Sequence, residues 1–161
     1  HLDPAHEGLV VAHLSDLHIG HETPIERIRA AFAAVESASP DVLLLTGDFL
    51  TYTRAPLDVF AAALGRSPKV PTFACLGNHD HFVDATATRR APEKIDIPVL
   101  QNENTVVELR GAALQLVGID DGATRHHDVA KALKGVTRKR SRLVMTHSPP
   151  RVSCPAARRL S

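Results

Sequence analysis

The segment that decides the fold is VLLLTGD, residues 42–48, in which four apolar residues are followed by a threonine, a glycine and an aspartate. A continuous apolar run of this kind is typical of a strand that is covered on both faces of a parallel sheet. Three other apolar runs end in a similar way, in DLH (residues 16–18), GNHD (residues 77–80) and His147. Strands that each end in Asp, Asn or His indicate polar side chains gathered along one edge of a sheet.

Helices are expected between the first three strands. Strands are predicted at Leu9–Ala12, Val42–Leu45 and Val70–Leu76. Helices are predicted at Ile25–Ser37 and Pro56–Leu64, because apolar residues recur there at intervals of three or four. This alternation of strand and helix predicts an α/β fold whose parallel strands are joined by right-handed crossovers.

The second half of the chain carries shorter elements. Gly111 is the expected turn of a β-hairpin. The predicted elements are a helix near Asp84–Ala91, hairpin strands at Thr105–Leu109 and Ala113–Val117, a short helix at Val129–Leu133 and a strand at Leu143–Met145.

The residues at the strand ends are typical ligands for metal ions. Asp16 and His18 alternate in sequence, so in an extended segment both side chains would point to the same side and could share one ion. Asp48 has two oxygens and could bridge two ions, while Asn78 and His147 offer a neutral oxygen and a neutral nitrogen. Mixed oxygen and nitrogen ligands suit Mn, Fe or Zn. The alternative is that Asp16 and Asp48 cap helices and that His147 is a core histidine.

These motifs, taken in order, resemble the signature of the calcineurin-like metallophosphoesterases. That signature reads D-x-H, G-D, G-N-H-D/E, a lone His and finally G-H-x-H. The resemblance runs from Leu9 to His147, and it implies a layered fold of mixed β-sheets flanked by helices, with the metal site at the carboxyl ends of the strands. The last motif, G-H-x-H, does not occur in the chain.

The resemblance also implies a role for each matching residue. Asp16 and His18 would bind the first metal ion, Asp48 would bridge both ions, and Asn78 and His147 would bind the second. His79 would act as general acid or electrostatic stabiliser beside the phosphoryl group, and Asp80 would orient His79. The alternative for Asp80 is a solvated carboxylate with no such role.

The implied activity is hydrolysis of a phosphoester by a dinuclear metal centre and a metal-bridging hydroxide. A small phosphodiester or pyrophosphate is the expected substrate, and a lipid precursor of the UDP-diacylglucosamine type is one form of it. The alternatives are a protein phosphatase or nuclease on the same scaffold, and a non-catalytic binding module that keeps the fold. Aromatic residues make up only 4% of the chain, which does not favour a stacking surface for nucleic acid.

The length and the charge distribution of the chain predict its domain organisation and its possible contacts. The 161 residues predict a single domain over residues 1–161, truncated at its C-terminus or altered by a reading-frame change near Pro149. All 18 acidic residues lie before residue 131, whereas residues 131–161 contain nine of the 19 Lys and Arg. This basic end could contact an anionic membrane, or it could be an ordinary solvated surface. A cytoplasmic or membrane-peripheral location is expected, because no apolar stretch approaches the roughly 20 residues that span a bilayer.

Several further polar residues are expected to be less important. His13 is interpreted as structural, and His21 and His81 as exposed loop residues that could touch substrate. His126 and His127 are expected to cap the helix at Val129–Leu133 or to face water. Asp120-Asp121-Gly122 either lines a pocket or forms a polar turn.

Overall fold

The computed structural model describes residues 3–20, 22–54, 60 and 68–149. The predicted helix Pro56–Leu64 lies outside the described residues except for Phe60, which is buried. His21, Cys154 and the end of the basic segment also lie outside them.

The first sheet is a parallel sheet of three strands in the order β1-β2-β3. Its strands are β1 (Val11–Leu14), β2 (Val42–Thr46) and β3 (Thr72–Cys75). Helix α1 (Ile25–Ala38) connects β1 to β2. All five residues of β2 are buried, as the apolar run in residues 42–45 predicts. Because the strands are parallel, their carboxyl ends lie at one edge.

The second sheet contains β4 (Glu103–Leu109), β5 (Ala112–Gly118) and β6 (Ser141–Met145). Strands β4 and β5 form the predicted hairpin, and β6 pairs in parallel with β5. Helices α2 (Asn78–Val83) and α3 (Ala85–Glu93) lie in the chain between the two sheets, and the short α4 (Val129–Ala132) precedes β6. Both sheets therefore send the carboxyl ends of parallel strands into loops that carry polar residues.

The alternation of side chains along β2 explains how the layers pack. Leu43 and Leu45 belong to a cluster that includes Ile28 and Phe32 of α1. Their neighbours Val42 and Leu44 point the other way, into a cluster that includes Leu114, Leu116 and Met145 of the second sheet. Helix α4 packs on the far side of the second sheet, where Ala132 contacts Val117 and Ile119. The layered α/β fold with mixed sheets and flanking helices is confirmed.

Some predicted bounds differ from the structure. Strand β1 begins and ends two residues later than Leu9–Ala12, because Leu9 and Val10 precede the register in which Val11 pairs with Val42. Residues 99–100 contribute only an isolated bridge, between Val99 and Ala74. None of the helices in the described part of the chain is long and apolar enough to cross a membrane.

Candidate metal centre

Four loops bring the predicted ligands to one edge of the molecule. Asp16 and His18 follow β1, Asp48 follows β2, and Asn78 and His79 open α2 shortly after β3. His147 follows β6 and therefore arrives from the second sheet. The tertiary fold thus joins residues that are up to 131 positions apart in the chain.

Asp48 lies at the middle of this group and is only 3% exposed. Its Oδ2 lies 3.4 Å from Nε2 of His147 and 3.7 Å from Nε2 of His18. Its other oxygen, Oδ1, accepts a hydrogen bond of 3.0 Å from the backbone N–H of His79. Donor atoms of Asp16, Asp48 and His147 all lie within 4.8 Å of one another. These three residues could hold a metal ion.

The backbone at the ligands adopts a conformation that side chains disfavour. The φ angles of Asp16, His18 and Asp48 are 56°, 43° and 53°, which lie in the left-handed region. The prediction that Asp16 and His18 alternate along an extended segment was therefore wrong. Their side chains still face each other, with Nε2 of His18 3.8 Å from Oδ1 of Asp16, because the loop turns after β1 ends.

Hydrogen bonds between the two loops hold this turn in place. The N–H of Asp16 donates to the carbonyl of Gly47 at 3.2 Å, and the N–H of His18 donates to the carbonyl of Asp48 at 2.9 Å. Non-glycine residues in left-handed conformations cost free energy and persist where the surroundings fix them, often at functional sites. This loop pairing supplies that constraint.

Two glycines allow the loops after β2 and β3 to touch. An ideal Cβ at Gly77 would collide with the Asp48 carboxylate, with Cγ at 3.0 Å. A Cβ at Gly47, whose φ is 74°, would strike the backbone of Gly77. The absence of a Cβ at Gly47 lets the two backbones approach each other, and its absence at Gly77 lets the backbone approach the Asp48 carboxylate.

The outer nitrogen of each histidine is held by the protein. Nδ1 of His147 lies 2.7 Å from the carbonyl oxygen of Thr46, and Nδ1 of His18 lies 2.9 Å from Oγ1 of Thr51. A carbonyl oxygen can only accept, so Nδ1 of His147 carries the proton and Nε2 faces Asp48. Metal-binding histidines are commonly oriented by such partners. Sequence reasoning missed both Thr46 and Thr51, because neither is a typical ligand.

The charges at the centre shift the pKa values of its groups. Burial favours a higher pKa for Asp48, but hydrogen bonds from His147 and from the N–H of His79 outweigh burial and lower it. The hydrogen bond to Asp48 raises the pKa of His147 to about 9, against the opposing effect of burial. A divalent cation could bind here, because Asp48 is stabilised as an anion and His147 can lose its proton to become a neutral ligand.

His79 lies beside the ligands. Its Nδ1 is 3.1 Å from the carbonyl oxygen of Thr51, and its ring meets the ring of His18 edge to face with centroids 5.1 Å apart. Asn78 is half-buried at the first position of α2, directly before His79.

Asp80 has different partners from those that were predicted. Its carboxylate is fully buried and accepts four backbone N–H groups, from Asp48 and Gly77 on Oδ2 and from Phe49 and Leu50 on Oδ1. Burial raises the pKa of Asp80 to about 6 although these N–H groups oppose the rise. Asp80 ties together the loops that carry Asp48 and His79, and its described contacts do not include the His79 ring.

The histidines outside the centre also differ in part from expectation. His81 is not an exposed loop residue, because its side chain is 5% exposed and its Nε2 lies 2.7 Å from Oδ1 of the buried Asp120. Helix α4 is capped by Asp128, rather than by His126 or His127. His13 bonds to Oγ1 of Thr46 at 2.6 Å, which agrees with a structural role.

Comparison with known proteins identifies the family of the chain. Residues 9–159 match the family of calcineurin-like phosphoesterases. The chain is 30% identical over 152 residues to the uncharacterized metallophosphoesterase YkoQ of Bacillus subtilis, which covers 91% of this chain and 55% of that protein. It is 32% identical over 145 residues to phosphodiesterase YaeI of Escherichia coli, covering 84% of this chain and 51% of that protein.

A third relative matches a shorter region. UDP-2,3-diacylglucosamine pyrophosphatase LpxG of Chlamydia trachomatis is 38% identical over 78 residues, which are 46% of this chain and 23% of that protein. The chain spans about half the length of YkoQ and YaeI. The family match covers nearly all of the chain, including the four motifs around Asp48, and the chain therefore belongs to the calcineurin-like phosphoesterase family.

Proposed function

We propose that this chain hydrolyses phosphoesters by means of two divalent metal ions. Asp16 and His18 would hold one ion, Asn78 and His147 the other, and Asp48 would contact both. The observation that carries the proposal is the position of Asp48, whose buried Oδ2 lies 3.7 Å from Nε2 of His18 and 3.4 Å from Nε2 of His147.

The donor set fits such ions. Each histidine has its Nδ1 against a protein oxygen and its Nε2 toward the Asp48 carboxylate, so Nε2 is the atom that would ligate a metal ion after losing its proton. Mn, Fe and Zn all accept this mixture of carboxylate, amide and imidazole ligands. When bound, two close cations polarise phosphoryl oxygens and lower the pKa of a bound water.

His79 is the proposed proton donor. Because the carbonyl of Thr51 can only accept, Nδ1 of His79 carries a proton and is engaged by Thr51. Nε2 is then the atom that would hold a proton for the departing alkoxide oxygen. The backbone N–H of His79 also donates to Asp48, and this hydrogen bond holds His79 at a fixed position relative to the Asp48 carboxylate.

Asp80 acts as a positioning residue in this proposal. Its four hydrogen bonds fix Gly77 and the backbone from Asp48 to Leu50. These segments carry the central carboxylate and the start of α2, where His79 lies. Loss of Asp80 would therefore disturb the site through the backbone.

A small phosphodiester or a pyrophosphate is the proposed substrate. The names of two relatives support this choice, since one is called a phosphodiesterase and the other a UDP-2,3-diacylglucosamine pyrophosphatase. Contact of the basic C-terminal segment with an anionic membrane stays a prediction.

The test combines metal analysis with hydrolysis of bis(p-nitrophenyl) phosphate in added Mn²⁺. The protein should bind close to two metal ions and turn over the substrate. Asp48→Asn should lose metal and activity together. His79→Gln should keep the metal and lose most of kcat, since general acid catalysis contributes roughly 10²–10⁴-fold.

The control is Asp96→Asn, which replaces an exposed carboxylate outside the site. It should match the parent protein in both measurements. Metal bound without turnover in the parent would favour the alternative of a non-catalytic module, and equal activity in the parent and Asp48→Asn would place hydrolysis elsewhere.

A further inference from the structure

A cavity of about 610 Å³ lies next to the candidate metal centre. One wall comes from the loop after β5 and the other from the residues after β6. The N–H of Gly122 donates to the carbonyl of Ser148 at 2.9 Å and joins the two walls. Ser148 directly follows His147, so the cavity shares a loop with the centre. The lining residues are Gly122, Ala123, Arg125, His127, Ser148 and Pro149.

The lining is electropositive. Among the described lining residues, Arg125 and His127 are basic and none is acidic. No hydrogen bond or ion pair engages the Arg125 guanidinium in the part of the chain that the structure describes. Nδ1 of His127 is buried and likewise lacks a hydrogen-bond partner among the described residues. Both side chains can therefore donate to a ligand.

Of the two carboxylates behind this lining, Asp120 is engaged through both oxygens, whereas Asp121 is engaged only through Oδ2 and its buried Oδ1 has no hydrogen-bond partner among the described residues. Oδ1 of Asp120 lies 2.7 Å from Nε2 of His81, and its Oδ2 accepts from Gln101. Asp121 accepts from the N–H and the hydroxyl of Thr124 at 2.6 and 2.7 Å. Among the described residues, neither acid forms a hydrogen bond or an ion pair with Arg125, which is exposed and lines the cavity.

The loop that carries Arg125 is held rigidly. Oδ1 of Asn102 accepts from the N–H groups of Asp120 and Asp128, and its Nδ2 donates to the carbonyl of His126. The ring of His126 stacks on His81 with centroids 3.8 Å apart. Arg125 itself has φ 62°, a left-handed conformation that the surrounding bonds impose. These contacts hold the backbone that presents Arg125 at the cavity.

We propose that this cavity binds a second phosphate of the substrate, so that the preferred substrates are pyrophosphate diesters. The reacting phosphoryl group would lie at the metal centre and the other phosphate would meet Arg125, with His127 as an additional donor. Arg forms strong charge-assisted hydrogen bonds with phosphate oxygens. This inference rests on the proposed function, because it assigns the reacting phosphate to the metal centre.

The test compares UMP with UDP as ligands, since the two differ by one phosphate. Equilibrium binding by calorimetry in the presence of Mn²⁺ requires no turnover, and competition against bis(p-nitrophenyl) phosphate reads the same preference in the active protein. Arg125→Asn removes the charge but suits the left-handed backbone, which Asn tolerates. Arg125→Lys keeps the charge, and Arg140→Asn changes an exposed arginine outside the cavity.

The parent protein should bind UDP more tightly than UMP. Arg125→Asn should reduce this preference about tenfold, the value of one charge-assisted hydrogen bond. Arg125→Lys should restore part of it, and Arg140→Asn should leave it unchanged. An unchanged preference in Arg125→Asn would overturn the inference, as would equal binding of UMP and UDP by the parent.

Failure of the proposed function gives a different result. In that case bis(p-nitrophenyl) phosphate would not be hydrolysed at any Mn²⁺ concentration, while the calorimetric comparison would still report whether Arg125 binds the second phosphate.

Discussion

Replacement of Asp80 by Asn tests whether this buried carboxylate holds the metal loops together. The change keeps the size of the side chain but leaves one oxygen in place of two. Oδ1 and Oδ2 of Asp80 each accept two backbone N–H groups, at 2.9 to 3.2 Å. An Asn can satisfy only one such pair, and its NH2 group would then face the other two N–H donors.

The magnitude follows from the two lost hydrogen bonds. A hydrogen bond to a charged group contributes about 1.5–3 kcal/mol, so the loss of two should reduce the free energy of unfolding by about 3 kcal/mol or more. Because the total for a domain is about 5–15 kcal/mol, the change should be plain in urea denaturation followed by circular dichroism.

The matched control for stability is again Asp96→Asn. Asp96 is exposed and has φ 60°, a conformation that Asn tolerates, so its replacement should change the free energy of unfolding by about 0.5 kcal/mol or less. If the free energy of unfolding of Asp80→Asn lies within about 1 kcal/mol of that of Asp96→Asn, the hydrogen bonds to Asp80 are not what holds these loops together.

The remaining predictions concern the centre and its surroundings. Gly77→Ala should weaken Mn²⁺ binding in calorimetry, because the new Cβ would displace the Asp48 carboxylate. The control Gly111→Ala, whose Cβ would meet no atom within 4 Å, should bind Mn²⁺ like the parent. Equal Mn²⁺ affinities of the parent and both variants would show that close packing at Gly77 does not position the carboxylate. Mn²⁺ at 100 times its Kd should stabilise the parent by about 2.7 kcal/mol and chelation should remove this gain, while Asp48→Asn should show no Mn²⁺-dependent shift in Tm. Burial opposes the charged form of His81, but the hydrogen bond and the charge of Asp120 outweigh burial and raise the pKa of His81 above 6.5. Burial likewise opposes the charged form of Asp120, but hydrogen bonds, the first of them from His81, lower the pKa of Asp120 below 3.8. The stabilisation from this ion pair is therefore complete between pH 3.8 and 6.5 and is lost as the pH rises through the pKa of His81. His81→Gln should therefore lie furthest below the parent in denaturation near pH 5 and approach it near pH 9; a difference independent of pH would show that the pair is not ionic.

The sequence by itself determined the order of the strands and which polar motifs follow them. The run in residues 42–45 is apolar at every position because β2 is covered by α1 on one face and by the second sheet on the other. The polar motifs directly after the strands had to meet at one edge, because parallel strands place their carboxyl ends together. Asp48 could be predicted as a candidate ligand from this pattern, because it is a carboxylate directly after the buried strand.

Only the tertiary structure decided how each site residue is held. The left-handed backbone at Asp16 and His18 depends on hydrogen bonds to the carbonyls of Gly47 and Asp48, which lie 31 and 30 residues further along the chain. Local sequence does not encode such contacts. The same is true of Asp80, whose four N–H partners come from two separate loops.

The pairing of His81 with Asp120 and the position of Arg125 show the same limit. His81 belongs to a loop-side motif that predicts exposure, yet the second sheet covers it with a carboxylate 39 residues away. Arg125 lies in a polar turn after β5, and the parallel pairing of β5 with β6 brings this turn to Ser148. Short-range pattern thus determines which residues reach the edge of a sheet, whereas long-range packing determines which of them touch, because those contacts form only when distant segments meet.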